Sequence, residues 1–145
     1  MGSYNSFKEQ IRRNSVALIS LVVAITSLSY NTWRNEASED NRTQRLVAIE
    51  VLMKLGELQQ VVWHHHYDKD IVNKGNLRTG WTIVLVIKDI SQILDDSLPQ
   101  STNDLWLIWD EYSYKLENSA AAEKAIIAAI NVVRADALAL LTELD

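Results

Sequence analysis

The sequence predicts an all-α protein, with an N-terminal transmembrane helix followed by an antiparallel bundle of about four helices. Three observations carry that expectation. Four glycines and one proline in 145 residues leave few places for turns, and scarce punctuation beside many Ala, Leu, Ile and Glu favours long helices over a many-turned β fold. No charged residue interrupts the 18 residues from Val16 to Trp33. Beyond them, apolar residues recur mainly at helical rather than strand spacing.

The division expected is a short basic segment over 1–14, a transmembrane helix over 15–33 and an acidic helical bundle over 34–145. As a helix, Val16 to Trp33 spans about 27 Å, close to the thickness of a bilayer's hydrocarbon core. Arg12 and Arg13 flank one end, while Tyr30 and Trp33 sit at the other, where amphipathic aromatics favour the headgroup zone. The strongly apolar part ends at Leu28, a length that also suits a secretion signal, and Ser27-Leu28-Ser29 would be a poor cleavage site. A buried hairpin helix of a soluble fold is the other alternative. With Met1 present at the start, a retained anchor is the expectation.

The polar residues of this stretch have a rhythm. Ala17, Ser20, Ala24, Ser27 and Asn31 recur at alternating spacings of three and four, which places them on one seam of a helix with Leu18, Ile25 and Leu28 turned elsewhere. Small residues let helix backbones approach closely in lipid. The seam is therefore the expected contact with another transmembrane helix, in a second copy or in a partner membrane protein. The plainer alternative is that Ser and Thr only satisfy local backbone carbonyls.

The bundle is expected to start at Ser38-Glu39-Asp40, a helix-start signal with acids where the dipole favours them. In the run that follows, Ala48, Leu52, Leu55 and Val62 form an apolar stripe, widened by Leu46, Ile49, Met53 and Leu58. Gly56 inside it points to a close helix contact, since glycine there costs roughly 1 kcal/mol against Ala. Gly75-Asn76 then breaks the chain. Trp81 to Ile87 is β-branched enough to pass as a buried strand, but Ile83, Ile87, Ile90 and Leu94 continue at helical spacing and no second strand exists to pair with. A helix is expected. Pro99 acts as a stop before a start at Ser101 to Asp104, and Leu105, Trp109, Tyr112 and Leu116 mark the next face. After Asn118-Ser119 comes the longest stripe, Ile126, Ile130, Val133, Ala137, Leu140 and Leu144. Short loops between such helices suit an antiparallel bundle.

"YNTWRNE" after a hydrophobic helix, then "LGELQ", "GW…IKDIS" and "LP…LW", resemble a group of small bacterial proteins with one N-terminal hydrophobic segment and no known activity. The resemblance covers most of the chain. It implies a bacterial membrane protein and transfers no functional residues; the location expected is the bacterial inner membrane, crossed once.

Charge and composition narrow the function. Up to Trp33, Lys8, Arg12 and Arg13 face only Glu9, so the acidity behind the chain's net charge of −5 lies in the remainder. An acidic body without a basic stripe disfavours nucleic acid as a partner. The basic N-terminal cluster inclines the bundle towards the periplasm. Without cysteine there are no disulfides, thiolate nucleophiles or Cys-based metal sites. "WHHHYDKD" pairs His64 with Asp68 and His66 with Asp70 at i, i+4, a spacing that can hold a divalent metal. Adjacent histidines on a helix diverge by about 100°, however, so three cannot serve one ion. A polar, exposed helix end is the expectation, with no metal and no cofactor. Trp63, Trp81, Trp106 and Trp109 are expected in the core, and the acid pairs Asp95-Asp96 and Asp110-Glu111 on solvated surfaces. No phosphate loop or nucleophile elbow is present, so no catalytic residue is named. The expectation is a non-catalytic, membrane-anchored interaction or assembly subunit whose partners are lipid and another membrane helix. The alternatives are a single-pass sensor binding a small ligand within its bundle and, more weakly, a metal-dependent enzyme using His64 to His66.

Overall fold

The computed structural model describes residues 3–94 and 97–144, with the side chains of 3–8 and 11–13 excepted. Among the described residues there are four α-helices, one 3-10 turn and no strand. The chain is an all-α helical bundle, as expected. It divides into two units, residues 1–40 and 41–145.

Helix α1 runs from Ser3 to His66 as one element. The start expected at Ser38-Glu39-Asp40 does not occur, because no Gly or Pro falls between Ser3 and Leu55 to release the backbone from its i→i−4 bonds. In the first unit every side chain from Val16 to Trp33 is exposed, including Leu18 at 55%, Ile25 at 57% and Leu28 at 69%.

The second unit holds the core. Helix α1 supplies Ala48, Val51, Leu55, Leu58, Val61 and Val62 to it, all buried. Leu46, Ile49 and Met53, expected to widen this stripe, are exposed, and Leu52 is half-buried. The buried face is centred nearer Val51 and Leu58 than the sequence suggested. Helix α2 (Leu77–Ser91) is capped by Asn76, whose side chain accepts from the Arg78 N–H. Its buried Gly80, Ile83, Val84, Ile87 and Ser91 repeat at helical spacing, so packing on one face overrides the β-branched propensity.

Helix α3 (Leu98–Tyr112) begins four residues earlier than expected, with the N-cap at Ser97 instead of Ser101 and Pro99 within the first turn. Proline there removes an N–H that has no intrahelical partner anyway, so it opens the helix and does not stop the chain. Ser101, expected near the cap, is buried inside the helix. A 3-10 turn (Ser113–Lys115) leads to α4 (Ala120–Glu143), whose N-cap Ser119 accepts from the Ala122 N–H. Its Ile126, Ile130, Val133, Ala137 and Leu140 are buried along the expected stripe.

Cross-links set the directions. Arg45 donates to the Leu144 carbonyl, and Arg134 donates to the Gln59 side chain at 2.6 Å, so α1 and α4 run antiparallel. Ser91 and Thr102 share a buried hydroxyl pair at 2.6 Å, and Gly80 lies against Trp109, so α2 and α3 are antiparallel as well.

The close helix contact expected at Gly56 is found at Gly80 instead. A Cβ on Gly56 would meet nothing within 4 Å, whereas one on Gly80 would stand 2.5 Å from Cη2 of the Trp109 ring and closer still to Cζ2. Gly56→Ala should therefore raise the stability of the bundle, by up to about 1 kcal/mol. Thermal unfolding of the full chain in detergent checks this, and a lowered midpoint would show that Gly56 has a contact after all.

Candidate functional site

Two regions bear on function, one in each unit. In the first, Ala17, Ser20, Ala24, Ser27 and Asn31 are all exposed. Ser20 Oγ donates to the Val16 carbonyl at 2.7 Å, Thr26 to Val22 at 2.8 Å and Thr32 to Leu28 at 3.0 Å. These back-bonds satisfy the hydroxyl hydrogens within the helix. They leave the Ser20 oxygen only accepting capacity towards a neighbour. The rings of Tyr30 and Trp33 tilt against one another with centroids 6.2 Å apart. The side chains of Arg12 and Arg13 lie outside the described residues.

In the second unit, the three histidines correct the expectation of an exposed polar end. They leave α1 in three directions, as adjacent helical residues must, and each meets a different structure. His64 Nδ1 lies 2.5 Å from the Asp68 carboxylate, the i, i+4 pair expected. His65 is 5% exposed, and its Nδ1 donates to the Gly75 carbonyl at 2.6 Å. His66 Nδ1 donates to the Leu116 carbonyl at 2.6 Å. Because a carbonyl can only accept, the hydrogen sits on Nδ1 in both.

His66 does not pair with Asp70. That carboxylate instead accepts from the N–H groups of Asn73 and Lys74 at 3.0 and 3.2 Å, which hold its pKa below the ordinary carboxylate value. The connection it organises is tight. Lys69 adopts a left-handed φ of 56°, which brings the Asp70 N–H back to the His64 carbonyl at 3.1 Å. A Cβ on Gly75 would collide with the backbone of Asp70 and His65, so only glycine fits there. Lys69 Nζ also donates to the Glu117 carbonyl, tying this connection to the segment after α3.

Among the described residues, no three His, Cys, Asp or Glu side chains gather as metal ligands. His64 and Asp68 could offer two donors to a cation, but His65 and His66 are turned to separate carbonyls. Asp110 and Glu111 are exposed as expected, and Asp95-Asp96 lie outside the described residues. The tryptophans divide. Trp109 is fully buried, Trp81 and Trp106 are half-buried, and Trp63 is 47% exposed. Trp106 carries the Lys88 ammonium 4.1 Å above its ring.

A cleft of about 460 Å³ opens where the start of α2 meets the segment after α3, with His65, Arg78, Tyr114 and Glu117 on its walls. Sequence reasoning singled out none of the last three. The one available signal was Gly75-Asn76, which marks a tight turn and a helix start directly after the histidines.

The chain matches no family model, no curated protein and no solved structure. The resemblance to small bacterial proteins gains no support from these comparisons.

Proposed function

We propose that the chain is a single-pass membrane protein, anchored by its N-terminal helix and acting as a non-catalytic interaction or assembly subunit. One observation carries the anchor: every side chain from Val16 to Trp33 is exposed on a helix with no charge in that span. Such a surface is far larger than the apolar patches soluble monomers expose, and lipid satisfies it. Helix α4 is also long and apolar enough to cross a membrane, but its Ile126, Ile130, Val133, Ala137 and Leu140 are buried in the core. The positive-inside rule, applied to Lys8, Arg12 and Arg13, favours a cytoplasmic N-terminus and a periplasmic bundle in a bacterial inner membrane.

The interaction runs through the seam of Ala17, Ser20, Ala24, Ser27 and Asn31, against a transmembrane helix of a second copy or a partner. With the Ser20 hydrogen already donated to Val16, close packing of small residues contributes more here than interhelical hydrogen bonding. Carbonate washing of membranes should leave the full chain in the pellet, and its release into the soluble fraction would overturn the anchor. Ser20→Leu with Ala24→Ile should stay in the pellet while losing the cross-linked complex of the native chain. A complex unchanged in that variant would rule out this face.

A further inference from the structure

We propose that the cleft between the start of α2 and the segment after α3 binds a small zwitterion, an α-amino acid with an apolar side chain. The charges on its walls argue for this class. Arg78 and Glu117 both line the cleft. Among the described residues neither side chain has an ion-pair or hydrogen-bond partner: the Arg78 bond to Asn76 and the Glu117 bond to Lys69 are both made by the main chain. A ligand bearing only negative charge would be repelled by Glu117, and one bearing only positive charge by Arg78. A ligand with both charges meets a partner for each.

The rest of the lining is consistent with that polarity. The His65 ring is held at the cleft wall by its Nδ1 bond to Gly75, so in the neutral ring Nε2 is an acceptor. It joins the Glu117 carboxylate as a second acceptor for an ammonium. On the opposite side of the balance, the Arg78 guanidinium offers a carboxylate a two-pronged donor. Helix α2 begins at this point, so the partial positive charge of its first turn adds to Arg78. Ile71, Leu77 and Tyr114 supply apolar lining for a side chain, and the volume lies in the range of small-molecule sites.

The test titrates the full-length, ¹⁵N-labelled chain in detergent with L-leucine and, in parallel, L-phenylalanine, following the His65 imidazole and the Gly75 and Arg78 amide signals. Saturable shifts are expected with at least one of them. Its amide, which lacks the carboxylate, and its N-acetyl derivative, which lacks the ammonium, should each bind at least about tenfold more weakly. Arg78→Gln should abolish the preference over the amide, and Glu117→Gln the preference over the N-acetyl compound. Both replaced side chains lack partners among the described residues, so the variants should keep the native helicity, measured by circular dichroism. No saturable shift with either amino acid, or equal affinity for an amino acid and either of its derivatives, overturns the proposal.

Discussion

Trp109→Ala should lower the stability of the bundle by about 3–5 kcal/mol, a large part of the 5–15 kcal/mol typical of a folded domain. Trp109 heads the fully buried side chains by volume, and its ring lies on the bare backbone of Gly80. Removing it deletes the wedge that joins α3 to α2 and leaves a space that helices cross-linked at Ser91 and Thr102 cannot easily close. The indole Nε1 is buried without a hydrogen-bond partner among the described residues, so the ring stabilises by packing and not by its polar edge. Trp109→Phe should accordingly cost much less than the alanine change.

The pairing with Gly80 makes a sharper check. Gly80→Ala alone forces a methyl into the ring, while in the Trp109→Ala background the same methyl enters vacated space. The two changes should be non-additive by about 1–3 kcal/mol in denaturant unfolding. Additivity within about 0.5 kcal/mol would show that the ring and the glycine do not depend on one another.

Gly75→Ala is the second large effect expected, at about 3 kcal/mol or more. The added methyl would sit 2.7 Å from the Cα of His65 and closer still to the His65 nitrogen and the Asp70 oxygen. All three are main-chain atoms, so no side chain can swing aside. Relief requires moving the end of α1 away from the connection, which also stretches the His65 bond to the Gly75 carbonyl. Unfolding midpoints in urea compare this variant with Gly56→Ala. If the two behaved alike, the tight packing described for the connection would be wrong.

Much of the fold was legible because burial repeats along each helix. Ile83 and Ile87 announced α2 through a β-branched run, although Leu94, expected on the same helical stripe, is buried beyond the end of that helix, and Ile126 to Leu140 drew the face of α4. Periodicity gives the existence of an apolar face but not how far the neighbours cover it. That is why Leu46, Ile49 and Met53 were placed in the core and are exposed. Glycines were ambiguous for a related reason. Gly56 and Gly80 look alike in sequence, and only the remote Trp109 distinguishes them. Pro99 was misplaced because the same residue can close one element or open the next.

The candidate site was less legible still. His65 is buried through a loop closure that depends on Lys69, Asp70 and Gly75 together. Arg78 and Glu117 come to one cleft only once α2 and α3 have paired. The spacing of Ala17, Ser20, Ala24, Ser27 and Asn31 is a local property of one helix and is read from the sequence directly, whereas the contact assigned to them is a proposal.

The histidine trio has a consequence for how the bundle opens. Helix ends ordinarily fray, exchanging their amide hydrogens at little free-energy cost. The last turn of α1 is joined through His65 to the α1–α2 connection and through His66 to the Leu116 carbonyl beyond α3. Unwinding that turn would release two distant segments at once. Its amides should therefore exchange with the slow set of the core rather than with the fast set of chain termini, making this end of the longest helix part of the cooperative unit.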